Sequence, residues 1–463
     1  MDSISPMTGM ARSTRPNGGL PPIPEFDEDF DRLALAGRDC VVLAVSGGSD
    51  SMALMQLFAS YARRQFPSLR LVAATVDHRL RAEAAAEARF VAEAAARLDM
   101  EHRTLAWDAA KPATGLMEAA REARHRLLSQ AAQEAGTDLV LVAHTMDDQA
   151  ETVAMRAARG EGGRGGAGIA EATLYDGATW FARPLLGVRR TALRDALKRA
   201  GGGWIDDPSN EDVRYERVRM RAMLNNEEID LSGEAACAAA ELRRALGDNA
   251  GALIDRYSTM PMPGLIRIDP AMLDAPERSA AIYALRILLS TAGGQTFLPD
   301  EGRSAQALAA LAEGPARLTL AGAVAERSSG GVFLYRENRN LPARGAISPF
   351  WDGRYRIGLP DGAGMAVGET DASAVEAHVK EAPGDVPPRL ARAAVARQPA
   401  VWRGGECIGL AGDVEGTTCE PVAAPWARYL PSFDLAPARA VFSLIGARAV
   451  SEPPLNGRSM RGT

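Results

Sequence analysis

The residues Ser46, Gly47, Gly48, Ser49, Asp50 and Ser51 follow the apolar run "CVVLAV" and lead into an apolar pattern with helical spacing. Two glycines allow a sharp backbone turn and close approach by a ligand. Three hydroxyls add donors, and the first amides of the following helix are unpaired and carry partial positive charge. These parts make a cradle for phosphate or pyrophosphate. The turn contains no lysine, so it is not the GxxxxGK[ST] loop, and its glycine spacing is not GxGxxG. Asp50 can face a magnesium ion carried by the phosphates. The plainer reading of the same residues is a strand-to-helix turn capped by Ser49.

The elements that position this turn repeat along the chain. Strand-like runs "CVVLAV", "LRLVAATV", "EHRTLAW" and "DLVLVA" alternate with helical patterns, including an alanine-rich helix from Ala82 to Leu98 and a second from Leu116 to about Ala135. That alternation predicts a parallel, twisted sheet with helices on both faces, an α/β layer. Ligands bind such sheets at the carboxyl ends of the strands. The polar clusters SGGSDS, DHRLR and AHTMDDQAET all fall at those ends. His78 and His144 each follow a strand, and either ligand contact or a structural turn accounts for them. Asp147 and Glu151 are four residues apart and share one helix face. Asp147 and Asp148 also suit helix capping.

The expected organisation is a flexible tail over 1–36, the α/β domain over 37–221, a helical connecting segment over 222–315 and a smaller α+β or mostly β domain over 316–463. The glycine-rich "RGEGGRGGAG" and the arginine-rich "VRYERVRMR" lie late in the α/β domain. Arg214, Arg217, Arg219 and Arg221 suit tRNA phosphates or a solvated helix face equally.

Composition limits the function classes. With 46% hydrophobic and 24% charged residues the chain is globular, and its apolar runs are too short to cross a bilayer. The N-terminus has no apolar signal core, so a cytoplasmic protein is expected. Four scattered cysteines offer neither a metal-ligand spacing nor a disulfide framework. The net charge of −6 excludes global basic character. Of 53 basic residues only Lys111, Lys198 and Lys380 are lysine, which reflects codon bias more simply than nucleic-acid binding.

The motifs come in series. SGGSDS fits the SGGxDS signature of PP-loop ATP pyrophosphatases. "DHRLR", "EAAREARHRLL", "AHTMDDQAET", "RPLLGVRRTAL" and "WIDDPSNEDVRYERVRMR" then follow in the order found in bacterial tRNA(Ile)-lysidine synthases. Over about Arg38 to Arg221 the chain resembles that family, with His125 where a tyrosine is usual and Glu161 where a serine is usual.

The resemblance implies an ATP-dependent ligase. ATP adenylates oxygen 2 of the wobble cytidine in the isoleucine tRNA with a CAU anticodon. Free lysine then attacks carbon 2 through its ε-amine, giving lysidine, AMP and pyrophosphate. On that expectation Ser46 to Ser51 hold pyrophosphate, Asp50 faces magnesium, and Arg121 and Arg124 polarise the α-phosphate. Asp77, Asp147, Asp148 and Glu151 bind the lysine cation and take its proton. A sulfur-transferring relative would need reactive cysteines beside the nucleotide. The C-terminal part is expected to help choose the tRNA, and a fragment ending near Leu311 to keep ATP binding.

Overall fold

The computed structural model describes residues 23–79, 84–160, 163–206, 212, 214–345, 349–360 and 363–456. Most of the expected tail, Leu80 and Arg81 of DHRLR, the first residues of the alanine-rich helix, Glu161 and the run 207–211 lie outside the described residues.

The first α-helix, α1 (Asp27–Asp31), is part of the core rather than of a tail. Phe26, Phe30, Leu33 and Leu35 are buried, and the Phe30 ring meets Phe58 edge-on with centroids 5.3 Å apart. The expected flexible segment 1–36 is thus corrected over 23–36. Four apolar side chains in ten residues bury too much area to remain in water.

The α/β layer then runs β1 (Cys40–Ala44), α2 (Ser49–Gln65), β2 (Arg70–Asp77), α3 (Ala84–Arg97), β3 (Glu101–Ala106), α4 (Leu116–Glu134), β4 (Leu139–Leu141), α5 (Met146–Ala158), β5 (Ala172–Tyr175), β6 (Thr179–Ala182), α6 (Arg190–Arg199) and α7 (Glu216–Met223). Strand β1 is buried along its whole length. Val41 and Leu43 enter one core with side chains of α2 and α3, while Cys40, Val42 and Ala44 enter another with Leu128 and Ala132 of α4. Helices therefore cover both faces, and both sides of the two-residue strand period are apolar.

The remaining elements are α8 (Asn226–Tyr257), β7 (Ser258–Met262), β8 (Leu265–Ile268), α9 (Arg278–Gly293), α10 (Glu301–Glu313), β9 (Arg317–Leu320), β10 (Ala323–Ser328), β11 (Gly331–Arg336), β12 (Tyr355–Gly358), β13 (Met365–Glu369), α11 (Ala372–Lys380), α12 (Pro388–Val395), β14 (Pro399–Arg403), β15 (Glu406–Leu410), β16 (Thr418–Pro421), β17 (Tyr429–Pro431) and α13 (Leu435–Ile445).

The first sheet has the order β17-β5-β6-β4-β1-β2-β3. Strands β6, β4, β1, β2 and β3 are parallel, while at one edge β5 pairs antiparallel with β6 and β17 antiparallel with β5, so that only β5 is reversed. The chain moves from β1 outward to β3 and returns to β4 on the other side of β1. The carboxyl ends of β1 and β4 therefore flank the switch point where such sheets bind ligands.

Two boundaries differ from the expected ones. The hairpin β7–β8, inside the segment expected to be helical, joins β11, β10 and β9 in a five-stranded antiparallel sheet. A cut at 315/316 would pass between strands of that sheet. Strand β17, far along the C-terminal part, pairs with β5 of the first sheet, with Leu430 opposite Leu174. Three residues carry no readable period, so only long-range pairing reveals this strand.

Candidate active site

The turn after β1 is built as a cradle. Gly47 has φ +89°, which a side chain would strain. The Ser46 amide donates to Ser51 Oγ at 3.1 Å, and Ser51 Oγ donates to the Gly48 carbonyl at 3.0 Å. Gly48, not Ser49, is the N-cap of α2, and no side chain caps that helix. Helices α5 and α8 by contrast carry full capping boxes, Thr145 with Asp148 and Asn225 with Glu228. The start of α2 thus leaves amides for an external anion. A cavity of about 250 Å³ opens beside it, lined among others by Ser46, Gly48, Thr75, His78, Arg124 and Ile205. Cys40, Cys237, Cys407 and Cys419 are unpaired and none lines it.

The carboxylates after β4 meet the cradle through Arg190, the first residue of α6. Its Nε donates to Asp50 Oδ2 at 2.9 Å, and its terminal nitrogens reach Asp148 Oδ1 at 2.9 Å and Glu151 Oε1 at 3.4 Å. From α7, Arg217 Nε donates to Glu151 Oε2 at 2.7 Å and its terminal nitrogen to Asp148 Oδ1 at 3.2 Å. Arg221 Nε donates to Glu151 Oε1 at 2.7 Å. The Glu151 side chain is only 2% exposed, so three guanidiniums converge on one buried carboxylate. Burial raises the Asp50 pKa, and Arg190 pulls against that rise. Burial opposes the Arg190 charge, but Asp148, Asp50 and Glu151 outweigh it and hold the pKa above its ordinary value.

Of the expected site residues, Ser46 to Ser51, Asp148 and Glu151 converge here. Asp147 lies at the rim: its Oδ2 accepts from the Arg190 backbone amide at 2.8 Å and sits 3.5 Å from Arg189 Nε. It anchors the start of α6. Asp77 ends β2, and its Oδ1 accepts from the Arg79 amide at 2.8 Å within its own turn. Arg124 lines the cavity, while Arg121 is exposed on the same helix. Neither has a carboxylate partner among the described residues. Burial, and then the Arg121 charge, lower the pKa of Arg124 and push that of Arg183 down to about 9.

The histidines beside this positive field are neutral. Burial, then the Arg183, Arg217, Arg124 and Arg121 charges, hold His144 well below its ordinary pKa. Its buried Nδ1 and that of His78 have no hydrogen-bond partner among the described residues. His125 is a packing residue. Its ring stacks on Tyr175 and meets Phe181 and Tyr429 edge-on, and burial pushes its pKa down to about 4.

Arg183, Arg190 and the inward turn of Arg217 and Arg221 are absent from the expected site. One signal existed. Arg189 and Arg190 stand at the start of α6, where the helix dipole disfavours cations. Cations placed there need carboxylates from elsewhere.

A family model described as a PP-loop domain matches residues 24–228. A tRNA(Ile)-lysidine synthase from Mesorhizobium japonicum is 46% identical over 435 residues, 90% of this chain and 95% of the relative. One from Brucella canis is 36% identical over 446 residues, 91% of this chain and 98% of the relative. Among solved structures, the U34-tRNA thiolase NcsA from Methanococcus maripaludis overlays 48% of this chain and 79% of its own, with 15% identity and a TM-score of 0.40.

Proposed function

This chain belongs to the tRNA(Ile)-lysidine synthase family, and from that premise we propose how its residues divide a two-step ligation. The substrates are ATP, free lysine and the isoleucine tRNA whose anticodon is CAU. The observation that carries the reading is the junction at Arg190, where an uncapped phosphate cradle and a buried carboxylate pair share one guanidinium. One half suits a polyphosphate and the other an ammonium.

In the first step the β- and γ-phosphates lie on the free amides of α2, with Ser46 and Ser49 as further donors. Oxygen 2 of the wobble cytidine attacks the α-phosphorus, and the bond to the bridging oxygen breaks. Arg124, with Arg121 behind it, stabilises the charge that grows on the α-phosphate oxygens. Pyrophosphate leaves still held by the cradle.

In the second step Asp148 and Glu151 bind the lysine ε-ammonium and accept its proton. The amine then attacks carbon 2, and the bond from carbon 2 to the adenylated oxygen breaks to release AMP. His144 and His78, held neutral, add no charge that would repel the substrate cation.

The donor set fits magnesium in one way only. Asp50 offers a hard oxygen ligand at the edge of the cradle. No group of three or more acidic, histidine or cysteine side chains able to hold a metal occurs among the described residues. Magnesium would therefore travel on the ATP phosphates with Asp50 as its protein ligand, where it supplies charge neutralisation.

No helix among the described residues is long and apolar enough to cross a membrane. The C-terminal elements are assigned a part in tRNA choice, since phosphate contacts at the catalytic layer carry no sequence information.

The test is labelled lysine with ATP and either the CAU-anticodon isoleucine tRNA or the initiator methionine tRNA. Label is expected in the first only. Arg124→Ala should lose the adenylated tRNA itself, while Glu151→Gln should still form adenylate and fail to incorporate lysine. Loss of the same step in both variants refutes the division of roles.

A further inference from the structure

The carboxylates assigned to lysine are already neutralised. Asp50, Asp148 and Glu151 face Arg190, Arg217 and Arg221, three negative charges against three positive ones. A lysine ammonium entering this state would lose hydration and meet no uncompensated charge. Some arginine must let go before lysine binds.

The structure indicates which. Arg190 is the inner member, with its side chain 12% exposed and bonds to all three carboxylates. Arg217 and Arg221 reach in from α7 and keep 40% and 39% of their side chains exposed, although their shared partner Glu151 is sealed. An outside anion can touch these two arginines but not the glutamate. They lie four residues apart, on one face of the helix.

Helix α7 is also poorly anchored otherwise. It is eight residues long and none of them is buried. Met223 and Tyr215 at its ends are exposed, and Arg159 pairs with Glu216 at its outer edge. With little apolar area to hold it, the helix rests on its ion pairs. Arg214, which is 84% exposed, stands just before it, but its guanidinium is already held by Asp212 at 2.6 Å and adds no free charge to that of Arg217 and Arg221. The substrate supplies the competing anion, because a tRNA backbone phosphate takes an arginine fork as well as a carboxylate does.

We propose that Arg217 and Arg221 form a latch on the lysine site: they neutralise Asp148 and Glu151 in the free enzyme, and tRNA phosphates draw them away so that lysine enters only the tRNA-loaded enzyme. This rests on the assignment of Asp148 and Glu151 to lysine. Arg217 and Arg221 are positioning residues, acting on lysine through the carboxylates. By linkage, lysine must strengthen tRNA binding by the same factor that tRNA strengthens lysine binding.

The experiment is equilibrium dialysis of labelled lysine against the full chain without ATP, with and without the CAU-anticodon isoleucine tRNA. In the wild type, saturating tRNA should raise lysine affinity at least about tenfold, within the usual range of coupling. The Arg217→Gln/Arg221→Gln variant should bind lysine in the absence of tRNA nearly as well as the tRNA-loaded wild type. The Arg217→Lys/Arg221→Lys variant, which keeps the charges, should keep the dependence on tRNA. ATP binding reports that each variant is folded. Should the double glutamine variant not fold, Arg221→Gln alone is read, since Glu151 then keeps Arg190 and Arg217.

Equal lysine affinity with and without tRNA in the wild type overturns the latch, and so does an unchanged tRNA dependence in the glutamine variant. Glu151→Gln separates the two levels of the argument. If it retains full lysine affinity in the tRNA-loaded state, the lysine site itself is misassigned. If it loses that affinity while the glutamine variant behaves as wild type, only the latch falls.

Discussion

Replacing Arg190 with methionine removes the charge at the centre of the site and keeps much of the side-chain volume. The three carboxylates lose unequal amounts. Glu151 keeps Arg217 and Arg221, and Asp148 keeps Arg217 and its bonds from Thr145. Asp50 keeps only the Ser49 hydroxyl, at 3.1 Å. The cost therefore concentrates on one buried carboxylate. Removing one partner of a buried pair costs about 3–5 kcal/mol, and the low end applies because two of the three acids stay paired. Asp50 can escape the cost by taking a proton. Burial already raises its pKa above the unfolded value, with Arg190 opposing that rise. A raised carboxyl contributes stability that is present below the unfolded pKa and lost as pH climbs through the folded one. Without Arg190 the folded pKa rises further, each unit being worth about 1.4 kcal/mol. The gap between wild type and Arg190→Met should thus be about 3 kcal/mol at pH 8 and under about 1 kcal/mol at pH 5. The Arg190 charge is constant across that window, since its own pKa is held above the ordinary arginine value. For a domain of this size the gap is a fall in Tm of roughly 6–12 °C at pH 8. Scanning calorimetry of both proteins from pH 5 to pH 8 measures it. A difference that is independent of pH, or absent at pH 8, refutes the account of Asp50 and its guanidinium.

The two cradle glycines should fail differently. A Cβ on Gly48 meets only Ser46 Oγ at 3.8 Å, so Gly48→Ala should keep wild-type stability and lose ATP affinity in a direct binding assay. Gly47→Ala forces a side chain to φ +89° and should lower stability by about 1 kcal/mol in thermal unfolding, before any effect on ATP is considered. Burial pushes the Asp29 pKa up to about 6, so its ionisation works against folding as pH rises through that value. Asp29→Asn should then stabilise the protein by about 1–2 kcal/mol at pH 8 and not at pH 4, as read by Tm across pH. A chain ending at Leu311 loses β17 and α13, and with them the cover of Leu174 and of the α8 face around Gly251, where an added Cβ would lie 3.0 Å from Ala436. That fragment should be insoluble or bind ATP weakly, contrary to the separable module expected from the sequence, and its solubility and ATP affinity decide the matter.

The parallel layer was legible because each strand carries its own local signal. β1 is apolar along its whole length, α2 shows one apolar face, and the polar clusters fall where strands end. The cradle was legible for the same reason, as six adjacent residues make it. What escaped was long-range and short in sequence. Strand β17 has three residues and pairs with a strand about 250 positions earlier. The hairpin β7–β8 contains Pro261 and sits between long helices, so its pairing with β11 outweighs its weak local preference. Phe26 and Phe30 lie at and just beyond the end of an N-terminal stretch without an apolar core of its own, which reads as a flexible tail.

The arginines of α7 show where sequence reasoning stops. Arg217 and Arg221 sit four residues apart in a segment with little apolar content, which fits a solvated face or an RNA-facing one. Neither reading includes a carboxylate, because Glu151 lies 66 positions from Arg217 and appears in sequence as part of a different helix. Periodicity tells which residues share a face but not what that face meets. Charge balance adds what periodicity lacks. Asp50, Asp148 and Glu151 cannot be buried together unpaired, so a fold that brings the ends of β1 and β4 together must import about as many cations. Arg190, displayed against its own helix dipole, is the first import, and the arginine-rich segment after it is the nearest remaining supply. A segment that must neutralise the site when tRNA is absent and can meet phosphates when tRNA is present has reason to be rich in arginine and poor in buried apolar residues. Both properties are written in α7.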